Sequence, residues 1–412
     1  EKLAGRKVKG VHKPEIDEIK IKCKCGSMML RVPEVLDVWF DSGVSSWAAL
    51  DFPAKQELFK KFWPANFNLE GTDQFRGWWN SQLVLSVIAF NKKPFETVYV
   101  HGMVLDLDKR KMSKSLGNIV SPPEVIEKFG RDALRFYFSS INPGESISYD
   151  ESYFKEIGKF FIILVNVSNL IENEYGLEFK EACKPERIED KWIISKSNSL
   201  VQTITENYNN YLFYKISEIL SKFVIIDVSR AYIQMVRERI SNKDKAVGNA
   251  LNNILSSVLL LSAPIIPYFS DYLYKKMKGK EESIHLCSLP KLETGKIDTA
   301  IEQVMNTAQT IIEKLLAKRA EKDIGIRWPL AKATIHTKEE NAEMLMKMQD
   351  IIKSQVNVRS LDIKPSKEES VELDTKITPE LEAEGYAREI CRRVQEARKK
   401  SGLQKGQKIE IV

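Results

Sequence analysis

The chain has 412 residues, 43% of them hydrophobic and 29% charged, which is typical of a globular protein of roughly two to four domains. Its net charge of +6 is compatible with a polyanionic partner but does not require one. No apolar run has membrane-spanning length and no leader is visible, so we expect no membrane partner. The five cysteines are scattered apart from Cys23 and Cys25, which favours a reducing cytoplasmic location over a disulfide framework.

The first two predicted stretches are residues 1–32 and 33–145. Residues 1–32 are basic and irregular and contain CKCG. Residues 33–145 alternate short β-rich runs, such as TVYVHGMVL, with helical runs, such as DQFRGWWNSQLVLSVIAF. This alternation predicts an α/β layer with a parallel sheet.

Helices dominate the predicted stretch 146–290. WIISKSNSLVQTITENY, YLFYKISEILSKFVIIDVSRAYIQMVRERI and ALNNILSSVLLLSA carry apolar residues at three- and four-residue spacing, which predicts an all-α bundle.

The last predicted stretch, 291–412, is more polar and forms a small α/β unit. AIEQVMNTAQTIIEKLLAKRAEK predicts a helix, and the strands AKATIHT and VRSLDI flank a helix over ENAEMLMKMQDIIKS. A basic helix, ELEAEGYAREICRRVQEARKKSGL, and a strand, KIEIV, follow. A final strand without a partner indicates truncation.

A cationic loop, RKMSKSLGN, joins the strand TVYVHGMVL to a helix that opens with SPPEVIEKFG. Ser121 is the predicted N-cap of that helix, Pro122 its first residue and Glu124 the partner in a capping box. The loop therefore belongs near the carboxyl edge of a parallel sheet, where open α/β sheets bind ligands.

The side chains of this loop suit a phosphate ligand. Lys111 and Lys114, with Ser113 and Ser115 beside them, can fold over a triphosphate and neutralise charge on departing pyrophosphate, so these four are the candidate catalytic residues. On charge alone, a solvated basic turn is about as good an interpretation.

KMSKS, followed by LGNIVSPPEVIEKFGRDALRFYF, resembles the signature loop of the class I aminoacyl-tRNA synthetases. The resemblance implies a partial Rossmann-type nucleotide-binding fold, ATP with Mg²⁺ as substrate and tRNA as partner, with Lys114 also contacting ATP. One departure is Lys109, where relatives often carry glycine. A type I turn needs no positive φ there, so we expect little consequence.

Two further stretches, VLDVWFDSG at 35–43 and LEGTDQFRGWW at 69–79, resemble the isoleucine branch of that family. The resemblance implies that the aminoacyl-adenylate lies against Glu70, Gly71, Asp73 and Gln74, that Trp39 and Trp78 wall the side-chain pocket, and that His101 and Gly102 lie beside the adenine. From residue type alone, Asp73 serves equally well as a helix N-cap, and the tryptophans and His101 are more often core residues.

The resemblance also implies parts that this sequence does not carry. The HIGH signature is absent, because none of His12, His101, His285 and His336 has that context, and no editing domain is visible. We therefore expect an internal fragment of a larger, monomeric enzyme, and we expect the fragment alone not to activate isoleucine.

CKCG offers two thiolates, Cys23 and Cys25, which is half of a tetrahedral zinc site. Some relatives complete such a site with upstream cysteines, so the resemblance makes zinc possible in the intact enzyme. For this chain, two reduced thiols without metal are slightly favoured.

The helical stretch resembles the family's anticodon-binding domain at SRAYIQMVRERI and APIIPYFSDYLY. Arg230, Arg237 and Arg239 are candidate contacts for RNA phosphates. For any single one, however, an arginine that is solvated or paired with a neighbour such as Glu238 is the favoured interpretation. The final basic helix offers a second tRNA-contacting face, formed by Arg392, Arg393, Arg398, Lys399 and Lys400.

Three alternatives remain open from sequence. The chain can belong to a valine or leucine enzyme, although WFDSG and EGTDQFRGWW argue against it. It can be a non-catalytic tRNA-binding protein, against which the intact KMSKS argues. It can also be one half of a split enzyme.

Overall fold

The computed structural model of the chain describes residues 2, 5–8, 10, 12–177, 185–403 and 407. The chain divides into a first unit, residues 1–112 and 142–149, and a second unit, residues 113–141 and 150–412. The strand predicted at 408–412 lies outside the described residues.

The first unit is a small α/β assembly. Its strands are β1 Ile21–Lys22, β2 Met28–Met29, β3 Ala65–Gly71, β4 Phe95–His101, β5 Val104–Leu105 and β6 Ile147–Ser148. Its α-helices are α1 Val38–Gly43, α2 Ser45–Ala48, α3 Gln56–Phe62 and α4 Trp78–Phe90, and 3₁₀ helices cover Glu15–Glu18 and Thr72–Arg76.

The centre of this unit is a β3–α4–β4 crossover. Strands β3 and β4 pair in parallel, from Ala65 opposite Phe95 to Gly71 opposite His101. Parallel neighbours need a long connection, and α4 supplies it. It ends at Asn91, whose φ of 53° is a left-handed conformation that asparagine tolerates well. The predicted parallel arrangement is confirmed.

The predicted strand TVYVHGMVL is interrupted at Gly102. A Cβ placed on Gly102 would lie 2.0 Å from the carbonyl oxygen of Glu145, so only glycine fits against the returning chain. Beyond it, β5 pairs in parallel with β6, and the amide of Met103 donates to Ser146 Oγ at 3.1 Å. The contact between Gly102 and Glu145 therefore divides this stretch into β4 and β5, although the local sequence pattern predicts a single strand.

The second unit is mainly helical. Its helices are α5 Pro122–Phe129, α6 Arg131–Ser139, α7 Ser152–Tyr175, α8 Ile188–Asn209, α9 Phe213–Lys222, the π-helix Phe223–Tyr232, α10 Ile233–Met235, α11 Arg237–Ser241, α12 Lys245–Ser262, α13 Pro267–Lys276, α14 Thr299–Glu321, α15 Glu339–Lys347, α16 Gln349–Val356 and α17 Pro379–Lys400. Shorter 3₁₀ helices cover Lys114–Leu116, Ile284–Leu286 and Thr294–Lys296, and the strands are β7 Leu330–Thr337, β8 Val358–Pro365 and β9 Ser370–Leu373.

The predicted bundle is present in α7 to α13. Trp192, Phe160, Ile216 and Leu251 are fully buried in one continuous core. Each such side chain contributes about 1.5–3 kcal/mol by leaving water, which explains why three- and four-residue apolar spacing is a strong signal here. The π-helix Phe223–Tyr232 was not predicted, since apolar spacing does not distinguish it from an α-helix.

Helices α5 and α6 pack with this bundle. Arg135 donates to the carbonyl oxygens of Ile265 at 2.9 Å and Pro264 at 3.0 Å, and Asp132 Oδ2 accepts from the amide of Phe269 at 2.5 Å. The predicted division at residue 145 stays a prediction, as do those at 32 and 290.

The start of α5 follows the sequence prediction only in part. Ser121 is the N-cap residue and Pro122 opens the helix, as predicted, but Ser121 makes no side-chain cap. Its carbonyl oxygen accepts the first intrahelical hydrogen bond, from the amide of Val125 at 3.2 Å. A capping box needs the hydroxyl of Ser121 to accept from the helix, so the predicted capping box with Glu124 is wrong.

The small C-terminal sheet has β7 at its centre, parallel to β8 and antiparallel to β9. The single helix predicted over 340–354 consists of α15 and α16, which meet at Met348. Strand β9 was missed because SVEL is short and follows a charged stretch, KEE, that carries no strand signal.

Candidate functional site

Three predicted adenylate residues meet at the carboxyl edge of β3 and β4. Gly71 is the register partner of His101. A Cβ on Gly71 would lie 2.7 Å from Asp73 Oδ1 and 3.2 Å from His101 Cε1. The missing side chain therefore lets the two polar groups approach the strand end from both sides.

The turn after β3 is closed by Gln74. Its Nε2 donates to Asp73 Oδ2 at 2.8 Å, and its Oε1 accepts from the amide of Trp78 at 2.9 Å. Asp73 lies inside the 3₁₀ helix Thr72–Arg76 and does not cap α4, so the N-cap alternative is wrong. Gln74 also satisfies the first amide of α4, a structural role that the sequence did not indicate, and its contact with the adenylate stays a prediction.

The two tryptophans border the same turn. The side-chain Nε1 of Trp78 donates to the carbonyl oxygen of Ser42 at 2.8 Å, which joins α4 to α1. Trp39 is 43% exposed, and its Cη2 lies 3.4 Å from the Cβ position of Gly77. Neither ring is a fully buried core residue, so both have surface free for a ligand. Glu70 is half-buried, and its carboxylate has no hydrogen-bond partner among the described residues.

His101 and Gly102 lie at the end of β4. The imidazole of His101 is exposed, and its Nδ1 lies 2.7 Å from the carbonyl oxygen of Gly102. The packing of Gly102 against Glu145 already requires glycine at 102, so this residue type is not by itself evidence of a ligand.

The signature loop begins with a tight turn in the first unit. Lys111 forms an antiparallel bridge with Leu105, and the amide of Asp106 donates to the carbonyl oxygen of Arg110 at 3.0 Å. Lys109 has φ of 61°, so the expectation that no positive φ is needed there is wrong. The loop is a three-residue hairpin whose third position is left-handed, and a lysine there is disfavoured by roughly 1–2 kcal/mol.

The rest of the loop belongs to the second unit, whose boundary falls between Met112 and Ser113. The Oγ atoms of Ser113 and Ser115 are 3.1 Å apart, and Lys114 is exposed at the start of the 3₁₀ helix. Asn118, which sequence reasoning did not single out, accepts from the amide of Ser113 at 2.9 Å and closes this half of the loop.

Cys23 and Cys25 lie on the hairpin that joins β1 to β2. The amide of Cys23 donates to the carbonyl oxygen of Ser27 at 2.8 Å, and hydrogen bonds from Ser27 lower the pKa of Cys25 to about 7. Within the described ranges, no cluster of three or more histidine, cysteine or acidic side chains forms. Two thiols supply only half of a tetrahedral zinc site, so the described residues do not fit a bound zinc ion.

The arginines of the helical stretch differ in their surroundings. Arg230 and Arg237 are exposed. Arg239 is 9% exposed and donates to Asp190 at 2.7 Å and to Asp244 at 2.8 Å. Burial alone would lower the pKa of Arg239, but these carboxylates outweigh it and raise the pKa. Arg239 is therefore a paired arginine, which is the favoured alternative, and not a candidate contact for RNA phosphates; its partners are Glu189, Asp190 and Asp244 and not Glu238.

The basic face of α17 is largely paired with acids of the same helix. Arg392 donates to Glu389 at 2.6 Å and to Glu396 at 2.8 Å, and Lys400 lies 3.5 Å from Glu396. Arg393 is 76% exposed and lies 3.6 Å from Glu389. Exposed pairs of this kind contribute little, so the arginines can exchange them for phosphates.

Family models match both parts of the chain. A model of class I tRNA synthetases (I, L, M and V) matches residues 3–150, and a model of the anticodon-binding domain of tRNA ligases matches residues 190–335. The parallel β3–β4 pair, the signature loop and the helical bundle agree with these matches, and the chain belongs to the class I aminoacyl-tRNA synthetases.

Within that class the chain is most similar to the isoleucine type. It is 37% identical to an isoleucine–tRNA ligase of Methanothrix thermoacetophila over 89% of the chain, and 35% identical to one of Pyrococcus abyssi over 86%. The matches cover 36% and 34% of those proteins, so the chain spans about a third of the length of these curated relatives.

Solved structures share the fold at low sequence identity. A leucyl-tRNA synthetase of Agrobacterium radiobacter K84, in ternary complex with tRNA and LeuAMS, gives a TM-score of 0.54 at 22% identity, covering 68% of this chain and 36% of that one. Mycobacterium tuberculosis methionyl-tRNA synthetase, in complex with methionyl-adenylate, gives 0.52 at 18% identity, covering 60% and 52%. Among the described helices, none combines the length and the apolar character that crossing a bilayer requires.

Proposed function

We propose that this chain is part of an isoleucine–tRNA ligase, which activates isoleucine with ATP and transfers it to tRNA(Ile). The observation that carries the proposal is the register of β3 and β4, because it sets the Glu70–Gln74 turn beside His101 and Gly102. The carboxyl ends of parallel strands are where open α/β sheets bind nucleotides. The stretches WFDSG and EGTDQFRGWW and the isoleucine-type relatives support isoleucine over valine or leucine.

In the first step, the carboxylate of isoleucine attacks the α-phosphate of Mg²⁺-bound ATP, and pyrophosphate leaves. Glu70 accepts hydrogen bonds from the α-ammonium group, and Asp73, oriented by Gln74, accepts from the ribose hydroxyls. Trp39 and Trp78 contact the branched side chain, and His101 and Gly102 lie along the adenine.

Lys111 and Lys114 stabilise the negative charge that develops on pyrophosphate, with Ser113 and Ser115 as hydroxyl donors. Preorganised charge of this kind lowers a barrier without forming a covalent enzyme intermediate. In the second step, a hydroxyl of the terminal ribose of tRNA attacks the acyl carbon of the adenylate, and AMP leaves.

The second unit holds the tRNA in this proposal. Exposed Arg230 and Arg237 contact phosphates of the anticodon arm, and Arg392, Arg393 and Arg398 on α17 provide a second contact. The parent enzyme acts as a monomer in the cytoplasm.

We further propose that the chain works only within a longer enzyme. It spans about a third of its isoleucine-type relatives, so two thirds of their length has no counterpart here. The 412-residue chain alone should give no isoleucine-dependent ATP–pyrophosphate exchange, and a clear signal from the pure chain would contradict this part of the proposal.

The test of the reaction uses the complete enzyme and single substitutions in the signature loop. Lys111→Ala and Lys114→Ala should each slow isoleucine-dependent ATP–pyrophosphate exchange by about 10²- to 10³-fold, the usual effect of losing one charge-stabilising group. Lys109→Gly is the matched control, since it removes a lysine of the same loop at a position that favours glycine, and it should leave the rate unchanged. Unchanged exchange in both alanine variants, or faster exchange with valine or leucine than with isoleucine, contradicts the proposal.

A further inference from the structure

The turn that precedes the signature loop is closed by one carboxylate, that of Asp106. Its Oδ1 accepts from the amide of Arg110 at 2.7 Å, and its Oδ2 accepts from Nε of the same arginine at 3.0 Å. The amide of Asp106 donates to the carbonyl oxygen of Arg110 at 3.0 Å. These three hydrogen bonds join both the backbone and the side chain of Arg110 to Asp106, and together they form the Asp106 clamp.

The two carboxylates of the turn differ in burial. The side chain of Asp106 is 12% exposed, whereas that of Asp108 is 73% exposed and lies 2.9 Å from Nη2 of Arg110. An exposed ion pair contributes little, but a charge-assisted hydrogen bond that is sheltered from water is stronger. Asp106 is therefore the residue that holds Arg110, and Asp108 adds a weaker contact.

The clamp lies next to Lys111. Lys111 forms an antiparallel bridge with Leu105, one residue outside the clamp at each end of the turn. The carbonyl oxygen of Leu105 accepts from the amide of Tyr149 at 2.8 Å, and Tyr149 is buried. While the clamp closes the turn, the backbone of Lys111 is therefore fixed through Leu105 to a buried part of the first unit.

A fixed backbone matters for a lysine that stabilises charge. Preorganised charge lowers a barrier because it already occupies the place where the new charge develops. The side chain of lysine is flexible, so the position of its backbone decides where the ammonium group can reach. A clamp beside Lys111 therefore limits the places that this ammonium group occupies.

We propose that Asp106 is a positioning residue for the activation step. It clamps Arg110 and thereby holds Lys111 where the ammonium group meets the pyrophosphate that leaves ATP. The inference rests on the proposed function, because it requires that Lys111 acts on pyrophosphate. It extends that proposal to an acidic residue that acts through Lys111 and does not itself contact the substrate.

Two other roles for the same contacts predict different results. In the first, Asp106 only stabilises the hairpin, and its loss lowers stability without any connection to Lys111. In the second, Arg110 binds a phosphate of ATP directly, and Asp106 orients that arginine. The geometry favours Lys111, because the amide, Nε and Nη2 of Arg110 are already engaged by carboxylates.

The first test compares the two aspartates of the turn in the complete enzyme. Asp106→Ala should slow isoleucine-dependent ATP–pyrophosphate exchange by about 10- to 10²-fold, the usual effect of a misplacement of about 1 Å. The loss should appear in kcat with the KM for isoleucine unchanged, since only charge that develops in the transition state is less well stabilised. Asp108→Ala is the matched control, and it should stay within about twofold of the wild type because its ion pair is exposed.

A conservative variant guards against an effect on folding. The side-chain oxygen of Asp106→Asn can still accept from the amide of Arg110, whereas its NH₂ group cannot accept from Nε. Its exchange rate should therefore lie between those of Asp106→Ala and the wild type. If Asp106→Ala does not fold, Asp106→Asn decides, and a rate equal to that of the wild type overturns the inference.

Double variants identify the residue through which Asp106 acts. In a Lys111→Ala background, Asp106→Ala should slow exchange no further, because residues that act as a unit are not additive. In a Lys114→Ala background the two losses should multiply. Losses that multiply in the Lys111→Ala background overturn the inference. A larger loss for Arg110→Ala than for Asp106→Ala also overturns it, because Arg110 would then contact the substrate itself.

Hydrogen–deuterium exchange separates the clamp from its catalytic consequence. The amides of Asp106, Lys109 and Arg110 all donate within the turn, so Asp106→Ala should make residues 105–112 exchange faster, whereas Asp108→Ala should not. Faster deuterium uptake with an unchanged reaction rate indicates a purely structural turn and overturns the inference. If Lys111→Ala itself leaves the reaction rate unchanged, the proposed role of Lys111 and this inference both fail. If Lys111→Ala is slow and Asp106→Ala is not, only the inference fails.

Discussion

Two arginines of α11, Arg237 and Arg239, should respond in opposite ways to replacement by alanine. Arg239 is 9% exposed and lies within 2.9 Å of Glu189, 2.7 Å of Asp190 and 2.8 Å of Asp244. Arg237 is exposed and makes no ion pair within the described ranges. The two residues therefore separate a structural role from an RNA-binding role on one helix.

The magnitude follows from what each substitution leaves behind. Arg239→Ala leaves three neighbouring carboxylates without their cation, and removing one partner of a buried ion pair costs about 3–5 kcal/mol. Arg239→Lys should recover only part of this loss, because a single ammonium group cannot reach three carboxylates in the way a planar guanidinium does. Arg237→Ala should change the unfolding free energy by less than about 0.5 kcal/mol.

The assay pairs urea denaturation, followed by far-UV circular dichroism, with binding of a tRNA(Ile) transcript at several salt concentrations. Arg239→Ala should unfold at markedly lower urea. Arg237→Ala should unfold with the wild type but bind tRNA more weakly and with a shallower salt dependence, since one phosphate contact is lost. Equal urea midpoints for the two alanine variants would refute the assignment of Arg239 to the core.

Two further predictions concern single contacts, one in each unit. Gly102→Ala would place its Cβ 2.0 Å from the carbonyl oxygen of Glu145, so it should destabilise the first unit by about 1–3 kcal/mol in chemical denaturation. Gly295→Ala is the control and should be neutral, because a Cβ there has no atom within 4 Å. A Gly102→Ala variant as stable as the wild type would argue against the close packing of Gly102 on Glu145. The ion pair with Lys275, with hydrogen bonds from Ser283 and Ile284, lowers the pKa of Asp271 from 3.8 to about 2. The ionised carboxylate of Asp271 therefore stabilises the fold above pH 3.8, and this contribution is lost as the pH falls through about 2. The difference in unfolding free energy between the wild type and Asp271→Asn should be constant near neutrality and should shrink between pH 4 and 2.

Local patterns predicted much of the fold. The long helices of the second unit and the parallel pair β3–β4 were predictable because apolar spacing and β-branched runs report directly on burial. The signature loop was predictable as a phosphate-binding candidate because its charge and its position between a strand and a helix are both local features. Its catalytic role, like the roles of the adenylate residues, stays a prediction.

What the sequence could not reveal depends on distant partners. Arg239 reads as a surface arginine until Glu189 and Asp190, about fifty residues earlier in the chain, are known to surround it. The interruption at Gly102 likewise depends on Glu145, which lies much later in the chain. The left-handed Lys109 is different, because its cause is local: the bond between Asp106 and Arg110 closes a tight turn that residue type alone did not reveal.

Helix α4 links the structure of the first unit to the proposal that the chain works within a longer enzyme. A helix that is apolar on all sides is normally buried on all sides, and a two-stranded sheet is marginally stable by itself. Yet Leu83, Val84, Val87 and Ile88 of α4 are 42%, 48%, 47% and 76% exposed. Their composition suits burial against further secondary structure.

Ile88→Lys distinguishes an exposed α4 from a covered one. In the 412-residue chain the lysine stays in water, so the unfolding free energy should change by less than about 0.5 kcal/mol. In the complete enzyme the same lysine would be buried without a partner, which costs several kcal/mol and should reduce both stability and ATP–pyrophosphate exchange. Lys92→Gln, an exposed change just beyond α4, is the control that should be neutral in both proteins. If Ile88→Lys is equally harmless in the complete enzyme, this face of α4 remains in water there too, and its apolar character is no argument for a larger catalytic assembly.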